Sequence, residues 1–211
     1  KTQGKTKAIF DAWKYELGGT GWTSFTNALT ADNLPVENAS FPAAASGVYD
    51  ATGSRILIFG EDLEPGHIWS FDTQSKTFNI LTTKGSLPPT MQSTTAILGP
   101  NKKTIFWTGL FLGKGYVYRL ELDSLKWTPV VASGNAPTKS QAMVAGLHKD
   151  TLMTVTIQGD ASLSFQNLDL QQHAWIDFGD VTPPGGVEGL VTAGFDSPGQ
   201  QALMILKHPE D

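Results

Sequence analysis

Four times along this chain an apolar residue is followed at once by an acid and, seven residues after the apolar one, by an aromatic. The sets are Tyr15, Glu16 and Trp22; Phe71, Asp72 and Phe78; Leu120, Glu121 and Trp127; Leu168, Asp169 and Trp175. Successive sets lie 56, 49 and 48 residues apart. A period of about 20 to 50 residues belongs to repeat architectures, in which one small unit cannot bury its apolar face alone and must stack on its neighbours. That constraint precedes any residue-level reading, because the chain is built from units of one kind.

Each unit reads as four short strands. In residues 13–17, Trp13, Tyr15 and Leu17 alternate with Lys14 and Glu16, the period of two that puts apolar side chains on one sheet face. Gly18 and Gly19 turn the chain, and Trp22 opens a second strand. The first complete unit has a small apolar strand over 44–49, a turn at Asp50-Ala51-Thr52-Gly53, and the run Arg55-Ile56-Leu57-Ile58-Phe59. That run is too short for a helix and predicts a strand covered on both faces. An acidic loop follows, then an alternating strand over 68–72 and a last strand over 78–81. The second unit repeats the order over 95–98, 104–107, 116–122 and 127–131, and the third over 143–147, 152–157, 163–170 and 175–178. Gly60, Gly109 and Gly159 close the second strands, while Pro35, Pro88, Pro137 and Pro183 close the units, where a strand must stop.

The two ends are half-units. Residues 8–26 supply a third and fourth strand, and residues 188–206 a first and second. Joined, they make one more sheet. The expected fold is an all-β propeller of four-stranded antiparallel blades, a single domain over 1–211. Its blades cover about 44–82, 93–131 and 142–178, and the fourth is shared between 188–206 and 8–26. Radial stacking leaves only short, protected sheet edges. Two alternatives remain open: a fragment of a larger ring, and two copies joining their open ends into a dimeric eight-bladed ring.

The residues Phe59-Gly60, Ile68-Trp69-Ser70-Phe71-Asp72, Tyr118-Arg119-Leu120-Glu121, Lys126-Trp127-Thr128 and Gly134-Asn135-Ala136-Pro137 resemble the kelch repeat over about residues 8–206. That family's blade carries a glycine pair after the second strand, an aromatic in the third, a tryptophan six or seven residues later and a Gly-x-x-Pro connector. Here the pair is one glycine followed by Glu61, Leu110 or Asp160. Kelch propellers usually have six or seven blades, which is why the larger ring stays among the alternatives. The resemblance implies a rigid propeller presenting loops on one face to a partner. Kelch-related copper oxidases need a cysteine-modified tyrosine, and this chain has no cysteine.

Composition removes several classes of function. A formal charge of -5 with no run of Lys or Arg argues against nucleic-acid binding. The absence of cysteine removes disulfides, zinc thiolates and a thiol nucleophile. No apolar run approaches the ~18 residues that a membrane-spanning helix needs. Residues 1–7, with three lysines, read as a solvated end.

Candidate chemistry is sparse. Glu16, Asp72, Glu121 and Asp169 could be read as catalytic carboxylates. Their equivalent places before a tight turn fit acceptors of backbone hydrogen bonds better. Trp22, Phe78, Trp127 and Trp175 could stack sugars, but one per unit at a fixed position fits packing between blades. His67, His148, His173 and His208 share no spacing that converges on a metal. Asn38-Ala39-Ser40 is a single glycosylation sequon. The binding face is expected on the loops between second and third strands. These are the acidic loop with Glu61, Asp62, Glu64 and His67, and the loop with Phe111, Leu112 and Lys114, whose apolar residues stand where polar ones are usual.

The sequence reading is therefore a non-catalytic, kelch-like binding or scaffold propeller that contacts another protein. A carbohydrate-binding propeller is the first alternative, and a kelch-related enzyme the second. It expects no cofactor, no nucleic acid and no membrane span, with a protein partner favoured, a glycan as the other ligand class, and self-association open through blade edges.

Overall fold

A computed structural model describes residues 13–15, 21–24, 45–60, 64–183, 187, 189–196 and 201–207. Among these the chain is strand and turn with no helix. Strands β1 (Trp13–Tyr15) and β2 (Trp22–Ser24) form a hairpin. The first complete sheet holds β3 (Ser46–Asp50), β4 (Arg55–Phe59), β5 (His67–Asp72) and β6 (Phe78–Thr82), antiparallel and in chain order. The second holds β8 (Gln92–Leu98), β9 (Thr104–Phe111), β10 (Lys114–Glu121) and β11 (Lys126–Pro129), with the short β7 (Lys84–Gly85) parallel to β11 on its outer edge. The third holds β12 (Ser140–His148), β13 (Thr151–Gln158), β14 (Leu163–Asp169) and β15 (Ala174–Val181). A last hairpin pairs β16 (Gly189–Asp196) with β17 (Gln201–Lys207).

The sheets succeed one another through their first strands. β8 packs against β3 and β12, and β12 against β16. Each connector also straps the outer strand of the sheet it leads into: Lys84 N donates to Leu125 O, and Ser133 N to His173 O. At these straps the chain needs glycine. A Cβ on Gly134, whose φ is +80°, would stand 2.6 Å from the carbonyl oxygen of Trp175, and Gly85, at φ +93°, meets the carbonyl of Trp127 in the same way. The Gly-x-x-Pro connector thus lets the backbone of one unit press on the tryptophan of the next.

Two expectations change. The sheets are not closed into a ring, for β1 with β2 and β16 with β17 are separate two-stranded sheets with no pairing between them. Among the described residues, the strands of 8–26 and those of 188–206 therefore share no sheet. β1 and β2 are three residues each, which offers few ladder bonds to hold a docked edge. Gly109 lies inside β9 rather than after it, because the β9–β10 hairpin closes two residues later through Leu112 and Gly113. Both have positive φ, 52° and 72°, the pattern of a two-residue turn matched to strand twist.

The core lies in the seams between sheets. Leu57, Phe59 and Ile68 of the first sheet meet Ile105, Leu120 and Trp127 of the second. The rings of Phe59, Trp107 and Trp127 pack with centroids 5.7 to 6.3 Å apart. Trp127 Nε1 donates to Thr83 Oγ1 at 2.9 Å, which satisfies the one polar atom of a buried indole. The next seam joins Phe106 and Val117 to Ala145, Leu152 and Leu168, with Trp175 packed against them. The far face of the third sheet buries Val155, Ile157 and Leu163 beneath Val187.

Candidate functional site: a polar cleft between the second and third sheets

Strand register makes the two seams comparable position by position. Ile105 pairs with Leu120 and Leu120 with Trp127 in the second sheet; Leu152 pairs with Leu168 and Leu168 with Trp175 in the third. Two residues further along, the second sheet sets Trp107 opposite Tyr118 and Tyr118 opposite Pro129. The third sheet sets Thr154 opposite Gln166 and Gln166 opposite Asp177. One pair beyond, Gly109 and Tyr116 correspond to Thr156 and Ser164. Facing them, Phe59 of the first sheet corresponds to Thr108 of the second. Most of the rings that fill the first seam are thus replaced by short polar side chains in the second.

The consequence is volume. The space beside Phe59, Trp107 and Trp127 is about 20 Å³, whereas the cleft beside Gln166, Trp175 and Asp177 is about 630 Å³. One wall belongs to the third sheet, where alternation puts Gln158, Ser164, Gln166, Trp175, Asp177 and Asp180 on the cleft side. The other is largely apolar, from Val117, Pro129, Val130, Val131 and Ala132. Gly115, against which Pro137 packs, lets the connector close one end.

Depth and polarity are graded. Thr154, Thr156, Ser164 and Gln166 are buried, while Asp177 and Asp180 are exposed. Thr154 Oγ1 donates to Gln166 O at 2.8 Å, and Gln158 Nε2 donates to Thr156 Oγ1 at 2.9 Å and Ser140 Oγ at 3.3 Å. Gln166 is 7% exposed and its Oε1 has no hydrogen-bond partner; across the seam, Thr108 Oγ1 is likewise buried and unpaired. Buried polar atoms are almost always paired, so an unpaired amide on a cleft floor marks a place where a ligand or water completes the bonding. A one-residue bulge between Ser164 and Gln166 on one strand and Asp177 and Asp180 on the other re-aims the outer strand at the cleft rim.

The residues singled out from sequence are not gathered into this site. Glu61 and Asp62 lie outside the described residues. Glu64 and His67 pair with each other, Oε2 to Nδ1 at 3.2 Å, beside the small space of the first seam. Phe111, Leu112 and Lys114 share the β9–β10 hairpin. Phe111 meets Tyr116 edge-on at 6.2 Å, the Lys114 ammonium stands over the same ring, and Leu112 is 90% exposed. Lys114 alone of these reaches the large cleft. Of the repeated acids, Glu16 lies outside the described residues, and two of the others hold turns. Asp72 accepts from Gln74 N and Ser75 N, and Asp169 from Gln171 N and Gln172 N, all at 2.8 Å. Glu121 instead takes the Arg119 guanidinium at 2.9 Å and the Thr104 hydroxyl. Burial, with Tyr116 adding to it, pushes the Tyr118 phenol above its ordinary 10.0, so it stays a neutral hydroxyl. Among the described residues no three of His, Asp and Glu converge as metal ligands.

The cleft is not marked by any feature that the repeats share. The signal lay in what the third repeat lost: Thr154, Ser164 and Gln166 stand where the second carries Trp107, Tyr116 and Tyr118.

Successive antiparallel four-stranded sheets packed face to face, with no helix among the described residues, define a chain of the β-propeller type. Solved structures similar to it are β-propeller proteins. Hydrazine synthase of Kuenenia stuttgartiensis matches at TM-score 0.56 and 9% identity over 79% of this chain and 44% of its own. TolB from Acinetobacter baumannii matches at 0.52 and 11% over 79% and 38%. A GH43 β-1,3-galactosidase bound to galactodeoxynojirimycin matches at 0.55 and 9% over 88% and 73%. The match spans less than half of the first two chains. No family model and no curated protein matches the sequence.

Proposed function

We propose that this chain is a non-catalytic binding propeller of kelch-like repeats whose ligand enters the cleft between the second and third blades. The observation that carries the reading is the exchange of Trp107, Tyr118 and Phe59 for Thr154, Gln166 and Thr108 between equivalent seams. Binding sites are concave, of about 300 to 1,000 Å³; the cleft has that volume, with a more polar lining than is usual, one polar wall facing an apolar one. Refilling it tests the reading. Ser164→Tyr restores the side chain that the second blade carries at this position. Wild type and variant are compared on a glycan array and on a peptide array. Loss of every bound spot in the variant supports the cleft, and unchanged binding removes it.

The kelch assignment is supported by the strapping glycines of Gly85-Ser86-Leu87-Pro88 and Gly134-Asn135-Ala136-Pro137. Four blades, the last completed by the terminal hairpins although the described strands show no hydrogen bonding between them, fit the packing of β16 on β12. They also fit the far face of β15, where Ile176, Phe178 and Val181 are exposed on the side away from the cleft. Deleting residues 188–211 tests that arrangement: a melting temperature equal to the full chain's means that no shared blade exists.

A second reading, contact with a protein partner, rests on the β9–β10 hairpin. Leu112 holds φ 52° with its side chain in solvent, where Asn before Gly would be the favoured turn residue. An apolar residue kept against turn chemistry and solvation fits a docking contact.

A further inference from the structure

The cleft's chemistry limits what fits it, and this step rests on the cleft being the binding site. Its polar wall is rich in acceptors: the unpaired Gln166 Oε1, the Ser164 hydroxyl, and the carboxylates of Asp177 and Asp180. An occupant that reaches the unpaired Gln166 Oε1 must donate to it. Sulfate has no donor to give, and phosphate or an acidic side chain meets the carboxylates of Asp177 and Asp180 as a like charge, opposed only by Lys114 at the margin.

Two donor-rich classes remain, hydroxyl-bearing neutral molecules and cationic side chains. The gradient of burial separates them. A charge taken deep into a protein needs a buried counter-charge. Here the buried lining groups Ser164 and Gln166 are neutral, as are Thr154 and Thr156 behind them, and both carboxylates stand at the exposed rim. Lys114, also at the margin, repels a cation on approach. A neutral ligand gives up only the hydration of its hydroxyls, which hydrogen bonds in the cleft can replace. The opposite wall of Val117, Val130 and Ala132, with Trp175 beside it, wants an apolar face on the same molecule.

A molecule that carries hydroxyl donors around its edge and C–H groups on a face is a pyranose. We infer that the cleft between the second and third blades binds a neutral saccharide, its hydroxyls donating to Gln166 and to Asp177 and Asp180, its C–H face against the valine wall.

The test uses the whole 211-residue chain. A glycan array of neutral, sialylated and sulfated oligosaccharides is probed with wild type, Gln166→Leu and Ser164→Tyr. Hits are followed by calorimetric titration, with the tripeptide Gly-Arg-Gly as the cationic probe. The expected result is binding of neutral glycans by wild type, weakened about tenfold in Gln166→Leu, as loss of a buried hydrogen bond predicts, and abolished in Ser164→Tyr. Thermal melts at or above the wild-type value in Gln166→Leu confirm that its loss is not unfolding. Binding of Gly-Arg-Gly or of anionic glycans alone, removed by Ser164→Tyr, overturns the saccharide while leaving the cleft. Neutral glycan binding untouched by either variant overturns both, and no binding by wild type at millimolar saccharide overturns the inference.

Discussion

Gln166 occupies on the third blade the position that Tyr118 occupies on the second. Each stands one pair beyond the leucine that faces the blade's tryptophan, Leu168 with Trp175 and Leu120 with Trp127. Tyr118 packs its ring into the seam, whereas Gln166 buries an amide whose oxygen finds no partner. A buried, unpaired polar group costs stability, and its replacement by an apolar side chain of like size removes the cost. Gln166→Leu is therefore expected to stabilise the free protein by about 1 kcal/mol. The melting temperature should rise by about 2 to 4 °C for a chain of this size. A differential scanning melt reads it directly. A fall instead of a rise would mean that the amide is satisfied in solution and the cleft floor has been misjudged.

Thr83 and Trp127 show the opposite case. The Thr83 hydroxyl receives the indole N–H at 2.9 Å and itself donates to Gly66 O at 2.7 Å, inside the first seam. Thr83→Val keeps the shape and strands a buried donor. The expected cost is about 1 to 3 kcal/mol, seen as a lower urea midpoint with an unchanged slope. A double variant with Trp127→Phe should show that the two losses are not additive.

Much of the sheet order was legible in the sequence, and the reasons are local. Glycine at the straps and proline at the unit ends specify backbone geometry without help from the rest of the chain. The alternation read over 68–72 is not seen in burial, for Ile68, Trp69, Ser70 and Phe71 are all buried, the two faces of β5 packing into different clusters. The run Arg55-Ile56-Leu57-Ile58-Phe59 became β4, buried toward its end as a strand between two packed faces must be. Length was less legible. β15 extends to Val181, past the four residues of its counterpart β11, because its bulge lets Asp180 and Val181 keep pairing with β14. The joining of the two ends into one sheet, expected from their matching half-units, is not seen among the described residues, since pairing between distant segments depends on seams that no local pattern encodes. The cleft was hidden for a related reason. Thr154 and Gln166 read as ordinary polar strand residues until the register shows that they face a neighbouring sheet rather than water.

Acid should loosen two turns. Backbone hydrogen bonds from Ser75 and then Gln74 hold the Asp72 carboxyl below its ordinary 3.8. The Ser162 hydroxyl, and then its backbone N–H, do the same for Asp160. A carboxyl whose folded value is depressed contributes stability above its unfolded value, and that contribution is lost as pH falls through the folded one. Asp72→Ala and Asp160→Ala are thus expected to be less stable than wild type at neutral pH, with the gap closing as pH drops below 3.8. Urea titrations across that range check it, and a gap that stays constant with pH would show that the carboxylates' hydrogen bonds do not carry the effect.

The β9–β10 hairpin sets stability against contact. Leu112 pays the left-handed conformation at φ 52° with its side chain almost wholly in water, next to Gly113 at φ 72°. Asn relaxes that strain by bonding locally, and Asn-Gly is the favoured pair for this turn. Leu112→Asn should therefore stabilise the chain by about 0.5 to 1 kcal/mol. Lys114 and Tyr116 lie in the strand beyond the turn, so their contact should persist and the cleft should bind as before. If the hairpin docks a protein partner, the same variant should lose that partner while keeping every ligand of the cleft. Paired melts and binding assays on Leu112→Asn and Ser164→Tyr then separate the two surfaces. A partner lost in the cleft variant alone would place the contact between the blades and leave the exposed leucine a matter of turn geometry.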